Sequence, residues 1–294
     1  SMNVANLQIR PVAPTDKIEI VQLGSATAPA YRVIGRLTAS GELIVPGGRF
    51  ASRDRGAVKA WLDVLRTEGA SRAAGGPRLP FGLPAEELAR AKRDLARPVG
   101  FASNEQPALA VLQQLAESLA YPLLADPAAR QAIASAGVVE DELKGLATGT
   151  AIAAVLRSAG LVFVPRMNDR RQIEYLVAAS TGGESWPVGW TPTRPERDLL
   201  PGMVELANVE IDDIAASQVV DAIAGRLEVP VLYDRVALAR WGIDPSKAQV
   251  TIPGSKSMYA IALRKSLFIA GLKYELRVDD AEKPMLWITS LKAL

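Results

Sequence analysis

Two aspartates, Asp126 and Asp234, are the first candidates for chemistry, because each ends a short apolar run, PLLAD or PVLYD. Paired carboxylates can act as general acid and general base if they face each other at a suitable separation. An aspartate between a strand and a helix is also a typical helix N-cap, and Pro127 occupies the preferred first helical position after Asp126. We expect both aspartates to cap helices. Acid–base catalysis is the alternative, and we assign no catalytic residue.

A second candidate is the sequence Gly254-Ser255-Lys256-Ser257, which precedes a helical pattern and resembles the end of a phosphate-binding loop. A complete loop of that kind needs a further glycine upstream, so that successive backbone N–H groups surround the phosphates. That glycine is missing here. We expect Ser255 or Ser257 to cap a helix over 256–270, and Ser255, Lys256 and Ser257 form a candidate anion site at its N-terminus.

Two acidic clusters lie in expected turns, Glu140-Asp141-Glu142 and Asp279-Asp280-Ala281-Glu282. A calcium loop needs alternating oxygen ligands around a central glycine and a distal glutamate, and neither cluster has that spacing. We therefore expect solvated turns, no metal site and no cofactor.

The composition excludes several kinds of catalysis. The 294 residues contain no histidine and no cysteine, which excludes His-based acid–base catalysis, thiolate chemistry and disulfides. The formal net charge of +2 is too small to point to a polyanionic partner. One predicted helix carries a basic face, but no aromatic residues are interleaved with its cations. A solvated face is therefore favoured over a phosphate or nucleic-acid patch, and we expect no nucleic-acid partner. The basic residues are Arg90, Lys92, Arg93 and Arg97.

The elements that must position these residues follow an α+β pattern. Residues 1–70 predict a β-rich α+β domain, in which three short β-branched runs precede a helix capped by Ser52 or Asp54. Residues 71–97 predict a linker rich in Gly, Ala and Pro, followed by a second helix. No apolar run reaches the length of a membrane span.

The remaining chain contains an internal duplication. Pro122 matches Pro230 at an offset of 108, and each copy reads strand, helix, strand, short helix, strand, helix and a final hairpin. We expect the first copy to start with a strand over 98–103, and the second to contain a helix over 216–227 and a short helix over 235–241. We place the copies at 98–180 and 203–294, which we call the first segment and the second segment.

Residues 181–202, the connector, hold Trp186 and Trp190 among four prolines and four glycines. We expect the tryptophans to pack on a neighbouring domain and to fix the angle between the copies. An aromatic platform for a ligand is the alternative.

The second segment ends in the predicted hairpin LKYELRV/PMLWITS, where we expect an exposed sheet edge that could bind a partner strand. The alternative is that the N-terminal domain or the other copy covers this edge. The candidate interaction residues are Trp186, Trp190, Tyr274, Leu286 and Trp287.

The repeated pattern resembles the short N-terminal domain shared by secretins and TonB-dependent receptors. The resemblance rests on the runs 219–234 and 262–278 and on Leu286-Trp287-Ile288-Thr289, and in the first segment on the runs 111–126 and 154–164. The chain from residue 186 onward also resembles planctomycete-type bacterial envelope proteins with a comparable final hairpin. The resemblance implies two tandem βαβ-βαββ repeats after the N-terminal domain. In that family, such domains bind other proteins of the bacterial envelope and are not enzymes.

We therefore expect a non-catalytic protein–protein interaction or assembly module, which binds another envelope protein or associates with itself. A small-molecule or glycan binder that uses the cleft between the repeats is the alternative, followed by a carboxylate-dependent hydrolase. The family implies a periplasmic or otherwise extracytoplasmic location, with a signal peptide removed, and a cytoplasmic location stays open.

Overall fold

The computed structural model describes residues 8–11, 17–23, 30–38, 40–51, 53–75 and 80–292. The chain forms two compact units. One consists of Ser1–Leu88 with Arg166–Gln172, and the other of Ala89–Pro165 with Ile173–Leu294.

The described residues form helices and several small sheets, which confirms the mixed α+β class. The helices are α1 (Arg55–Glu68), α2 (Ala70–Ala73), α3 (Ala85–Leu95), α4 (Ala108–Glu117), α5 (Pro127–Ser135), α6 (Thr148–Ser158), α7 (Glu196–Leu199), α8 (Ala216–Leu227), α9 (Arg235–Trp241) and α10 (Tyr259–Ile269). The strands are β1 (Glu19–Gln22), β2 (Tyr31–Ile34), β3 (Arg36–Leu37), β4 (Leu43–Val45), β5 (Gly48–Phe50), β6 (Leu123–Leu124), β7 (Leu161–Met167), β8 (Ile173–Ala179), β9 (Leu206–Ala215), β10 (Val231–Tyr233), β11 (Gln249–Met258), β12 (Leu272–Val278) and β13 (Pro284–Ser290).

The first unit contains the hairpin β1–β2 and the antiparallel sheet β3-β4-β5, followed by α1. Trp61 of α1 packs edge-on against Phe50 of β5, and its indole N–H donates to the carbonyl of Ala73 at 2.8 Å. Asp54 precedes α1 but forms no side-chain cap bond with it, because its carboxylate accepts from the N–H of Ala51 instead. Ser52, the other expected cap, lies outside the described residues.

The second segment has a three-stranded sheet in the order β10-β13-β12. Strand β13 lies in the middle, parallel to β10 and antiparallel to β12. Helices α8 and α10 cover one face, because residues such as Val220 and Leu263 recur at helical spacing and are fully buried with Leu286 and Ile288 of β13. Strands β9 and β11 form a separate two-stranded antiparallel ribbon.

The first segment has a smaller sheet in the order β6-β8-β7, in which β6 is parallel to β8. Helix α6 is almost wholly buried, from Thr148 to Ala153. The expected strand over 98–103 is wrong, since Pro98 forms only an isolated bridge with Ala147. In both sheets the strand latest in the sequence occupies the centre.

Candidate functional site

Asp280, in the turn between β12 and β13, is the centre of a contact between the second segment, the connector and the first segment. Its Oδ1 accepts hydrogen bonds from the indole Nε1–H groups of Trp186 and Trp190, each at 2.8 Å. Its Oδ2 accepts from the backbone N–H of Thr150 at 2.6 Å and from the Thr150 hydroxyl at 3.0 Å. We call this group the Asp280 contact. One carboxylate thereby joins three parts of the chain.

Helix α6 begins at this contact. The backbone N–H of Ala147, directly before α6, donates to Asp279 Oδ2 at 2.9 Å, and Asp279 is buried. The first N–H groups of a helix have no partner inside it, and a helix N-terminus attracts negative charge. Gly149 leaves room for the carboxylate, because a Cβ there would lie 2.6 Å from Asp280 Oδ2. Burial raises the pKa of Asp280, and the bonds from the tryptophans and Thr150 oppose this only in part.

The connector packs against both segments through its tryptophans. Trp186 is 2% exposed and stacks on Phe163 of β7, with ring centroids 5.9 Å apart. It also meets Trp190 edge-on at 5.0 Å. The backbone N–H of Trp190 donates to the carbonyl of Val278 in β12 at 2.7 Å, and the Val278 N–H donates back at 3.0 Å. Both tryptophans therefore have the internal packing role that the sequence suggested.

A buried carboxylate, Asp234, joins the two segments at the other end of α6. Arg157 donates from Nε to Asp234 Oδ1 at 2.9 Å and from Nη2 to Oδ2 at 2.7 Å. Asp234 is 3% exposed, accepts from the N–H of Ala237 at 3.2 Å, and accepts from the hydroxyl of Thr289 at 3.3 Å. The expected cap at α9 is confirmed, and the same carboxylate is held by a bidentate arginine.

Asp126 differs from Asp234 in its surroundings. It caps α5 by accepting from the N–H of Ala129 at 2.7 Å, as expected, and its residue is exposed. The two aspartates share the capping role, but only Asp234 carries an ion pair to the other segment.

A third contact between the segments is formed by Arg235 at the start of α9. Its guanidinium binds Asp141, and its Nη1 lies 2.7 Å from Glu140 Oε2. The backbone N–H of Tyr233 donates to Asp141 Oδ2 at 2.9 Å. Burial raises the pKa of Asp141, and the nearby Arg235 charge opposes that rise.

A depression of about 520 Å³ opens to solvent between the connector and β12. It is lined by Pro187, Gly189, Trp190, Thr191, Glu275, Leu276 and Arg277. The charges in it are already paired, because Arg277 donates to Glu275 at 2.6 Å and to the carbonyl of Val188 at 2.7 Å. Lys92 of α3 places its ammonium 5.0 Å from the Trp190 ring.

The expectation that the two acidic clusters are solvated turns is wrong. Asp141, Asp279 and Asp280 lie in the contacts between the segments, and Glu142 Oε1 accepts from the N–H of Ser103 at 3.0 Å. Sequence spacing cannot reveal this, because every donor to these carboxylates across the segments is far away in the chain.

The expected helix cap and anion site at Ser255, Lys256 and Ser257 are not at a helix N-terminus. These residues belong to β11, where they pair with Val209, Asn208 and Ala207 of β9. Helix α10 begins at Tyr259, after Met258, with no side-chain cap. The premise for anion binding at these three residues is therefore wrong.

The expectation of an outer edge at the final hairpin holds for β12, which is an outer strand of the sheet β10-β13-β12, but it is wrong for β13. Leu286 and Trp287 are 0% and 3% exposed, because β13 is the central strand of its sheet. Tyr274 lies on β12 and is half-buried, and its hydroxyl donates to Glu196 at 2.8 Å. Burial and the neighbouring Glu196 raise the pKa of Tyr274 to about 12, so the phenol stays protonated.

Sequence reasoning missed Arg157 and Arg235, the partners of Asp234 and Asp141. Thr150 lies in the first turn of α6, and the acceptor for its backbone N–H and its hydroxyl is Asp280 of the second segment. An arginine in the last turn of a buried helix, as Arg157 is in α6, was the available signal.

The comparisons with known proteins add no family. The chain matches no family model, no curated protein and no solved structure. Among the described residues no group of three or more acidic side chains could hold a metal ion, and none of the described helices is long and apolar enough to cross a membrane.

Proposed function

We propose that the protein is a non-catalytic interaction module of the bacterial envelope, built of two tandem repeats of the secretin and TonB-receptor type and binding another protein or a second copy. The acidic and aromatic residues that were candidates for catalysis or ligand binding support this proposal, because they form internal contacts. Asp234 and Asp280 are held by arginine, indole and hydroxyl donors, and Trp186 is buried. Such groups fix the two segments to each other and leave no free acid–base pair in that contact.

The observation that carries the proposal is the outer edge of β9. Its first half, from Leu206, pairs in regular register with β11, and no third strand among the described residues lies on its other side. Residues here alternate between exposed and half-buried, and Leu206 is 62% exposed. An open edge of this kind offers unpaired N–H and C=O groups to an added strand.

The edge of β11 is less suited to strand addition. It contains Pro253, and its register shifts between Ile252 and Ser255. Proline, bulges and lysines such as Lys256 are devices that block pairing at sheet edges. The outer strand of the final hairpin, β12, already pairs at Val278 with Trp190 of the connector. We therefore assign the interaction to β9 rather than to β11 or β12.

The test uses light scattering over a concentration series, followed by a pull-down from envelope and cytosolic fractions. The edge variant carries Leu206→Lys and Asn208→Lys, and the control carries Thr251→Lys on exposed β11. We expect self-association, or retention of one envelope protein, that the edge variant loses and the control keeps. A strict monomer that retains nothing, or equal binding by both variants, contradicts the proposal.

A second candidate, small-molecule or glycan binding, is favoured by the pocket beside Trp190. The half-buried indole and the backbone of the connector offer a stacking face and polar groups at one opening. Titration of glycan fragments against tryptophan fluorescence, with Trp190→Phe as the variant, tests it. A saturable change that the variant loses supports binding, and a flat response contradicts it.

A further inference from the structure

Helix α10 has an exposed face that mixes large apolar residues with cations, and we propose that this face docks on an anionic lipid surface. The face consists of Ile261, Arg264, Lys265, Phe268 and Ile269, and we call it the α10 face. These positions recur at intervals of three and four residues, so they share one side of the helix. The opposite side, with Leu263 and Leu267, is fully buried in the core of the second segment.

The apolar exposure on this side is large for a helix that already buries its other side. Phe268 is 68% exposed, Ile269 52% and Ile261 39%. An amphipathic helix at the surface of a globular protein usually has polar residues at solvent-facing positions such as these. Contiguous exposed apolar residues mark a site that contacts another molecule.

The face continues past the end of α10. The N–H of Leu291 donates to the carbonyl of Gly271, directly after the helix, at 3.0 Å, and Leu291 is 43% exposed. The ammonium of the neighbouring Lys292 lies 4.8 Å from the ring of Trp241, which is 38% exposed. An exposed tryptophan and a lysine therefore extend the same combination of apolar and basic groups.

The positive charge of the α10 face favours an anionic partner. Arg264 and Lys265 are both exposed, and the face itself has no acidic side chain. The Tyr274 hydroxyl accepts from Arg264 at 3.5 Å and donates to Glu196 at 2.8 Å, so this acid bonds the phenol. No described residue forms an ion pair with Lys265. Helices that carry aromatic and aliphatic residues beside lysine and arginine lie at the headgroup level of anionic bilayers.

A second copy of the chain fits this face less well. In a two-fold dimer the same patch meets itself, so Arg264 and Lys265 would approach their own copies. Like charges brought together across an interface oppose association. A bilayer with anionic headgroups supplies both the apolar boundary and the opposite charge. This contact is distinct from the edge of β9, and neither depends on the other.

The experiment is sedimentation of the full chain with vesicles of phosphatidylcholine alone or with about 30% phosphatidylglycerol. The variants are Phe268→Ser and Lys265→Glu. The matched controls in the first segment are Val138→Ser, at a residue that is 53% exposed, and Lys144→Glu, at an exposed lysine. Circular dichroism of each variant confirms that it is folded.

We expect binding only to the anionic vesicles, weaker in high salt because surface charges are screened. Phe268→Ser should weaken it about tenfold, since a buried phenylalanine contributes roughly 1.5–3 kcal/mol and 1.4 kcal/mol is a factor of ten. Lys265→Glu should weaken it at least about fivefold, from roughly 1 kcal/mol for each cation at such a surface. The controls should bind like the parent.

Three results overturn the proposal. The first is no binding to anionic vesicles at low salt. The second is equal binding to neutral and anionic vesicles, or equal losses in the variants and their controls. The third is a dimer in light scattering that Phe268→Ser abolishes without any vesicle binding, which would assign the α10 face to a second copy.

Discussion

Gly149 gives the sharpest test of the Asp280 contact, because only a glycine fits between helix α6 and the carboxylate. A Cβ at this position would lie 2.6 Å from Asp280 Oδ2, 2.8 Å from Leu95 Cβ and 2.9 Å from Trp186 Nε1. Real Cβ contacts are longer than this, so Gly149→Ala must displace Asp280 or the helix. The backbone of Gly149 is not in the left-handed region, so the cost comes from the neighbours rather than from backbone strain.

The expected loss combines two effects. Overpacking of a close-packed site costs about 1–3 kcal/mol. A shift of Asp280 also weakens its bonds from Thr150 and the tryptophans, and a hydrogen bond to a charged group contributes about 1.5–3 kcal/mol. The usual gain of up to about 1 kcal/mol for Gly→Ala in a helix offsets part of this. We expect Gly149→Ala to lower the free energy of unfolding by about 3 kcal/mol.

Gly225 in α8 provides the matched control. A Cβ there would meet no atom within 4 Å, so Gly225→Ala should stabilise the protein by about 0.5–1 kcal/mol. The assay is urea unfolding followed by tryptophan fluorescence, because four of the five tryptophans lie in the unit that contains both glycines. A Gly149→Ala variant as stable as the parent, or an equal loss in Gly225→Ala, would refute the described packing.

Three further predictions concern polar side-chain contacts. The free energy of unfolding of the parent, relative to that of Asp280→Asn, should rise as pH falls from 7 towards 4. The pKa of Asp280 is raised in the folded state, so the folded state takes up a proton before the unfolded state does. Urea titrations at several pH values check this, and a pH-independent difference between the two proteins contradicts it. Arg157→Met should lower the free energy of unfolding by about 2 kcal/mol, because Asp234 stays buried while its bidentate partner is lost. The double variant with Asp234→Asn should recover part of this loss in the same assay, and additive losses would contradict the pairing. Tyr175→Phe should cost about 1 kcal/mol in thermal unfolding, because the buried Tyr175 hydroxyl donates to Asp94 at 3.0 Å; no change would show that the bond contributes nothing.

Elements defined by local signals could be predicted closely from the sequence. The helix expected over 216–227 is α8, Ala216–Leu227, and the expected short helix over 235–241 is α9. The caps Asp126 and Asp234 followed from their position between a strand and a helix. These signals depend on residues within one turn of each other, so no tertiary information is needed.

Pairing between distant strands overrode one local signal. The Ser-Lys-Ser sequence before α10 is a reasonable helix start, but Ser255 and Lys256 instead continue β11 opposite β9. Cross-strand hydrogen bonds to a partner some fifty residues away outweigh a marginal N-cap preference of about 1 kcal/mol. Strand order is likewise invisible in the sequence. The final hairpin was expected at a sheet edge, and of its two strands β12 is an outer strand whereas β13 is the central one.

The two main carboxylates between the segments, Asp234 and Asp280, are stabilised by different kinds of partner, so they should respond differently to salt and to pH. Asp234 is paired with the cation Arg157, whose side chain is partly exposed, so added salt should weaken that pair. Asp280 is held by neutral donors, the two indoles and Thr150, at the N-terminus of α6. Salt weakens such neutral donors little, whereas acid protonates Asp280, because burial raises the pKa of its carboxyl. Added salt should therefore loosen the Arg157 end of α6 first, whereas falling pH should act first at the Asp280 end, where proton uptake favours the folded state. The protection factor of the Thr150 N–H in hydrogen exchange, which corrects for the intrinsic pH dependence of exchange, distinguishes the two, because it should change with pH and not with salt.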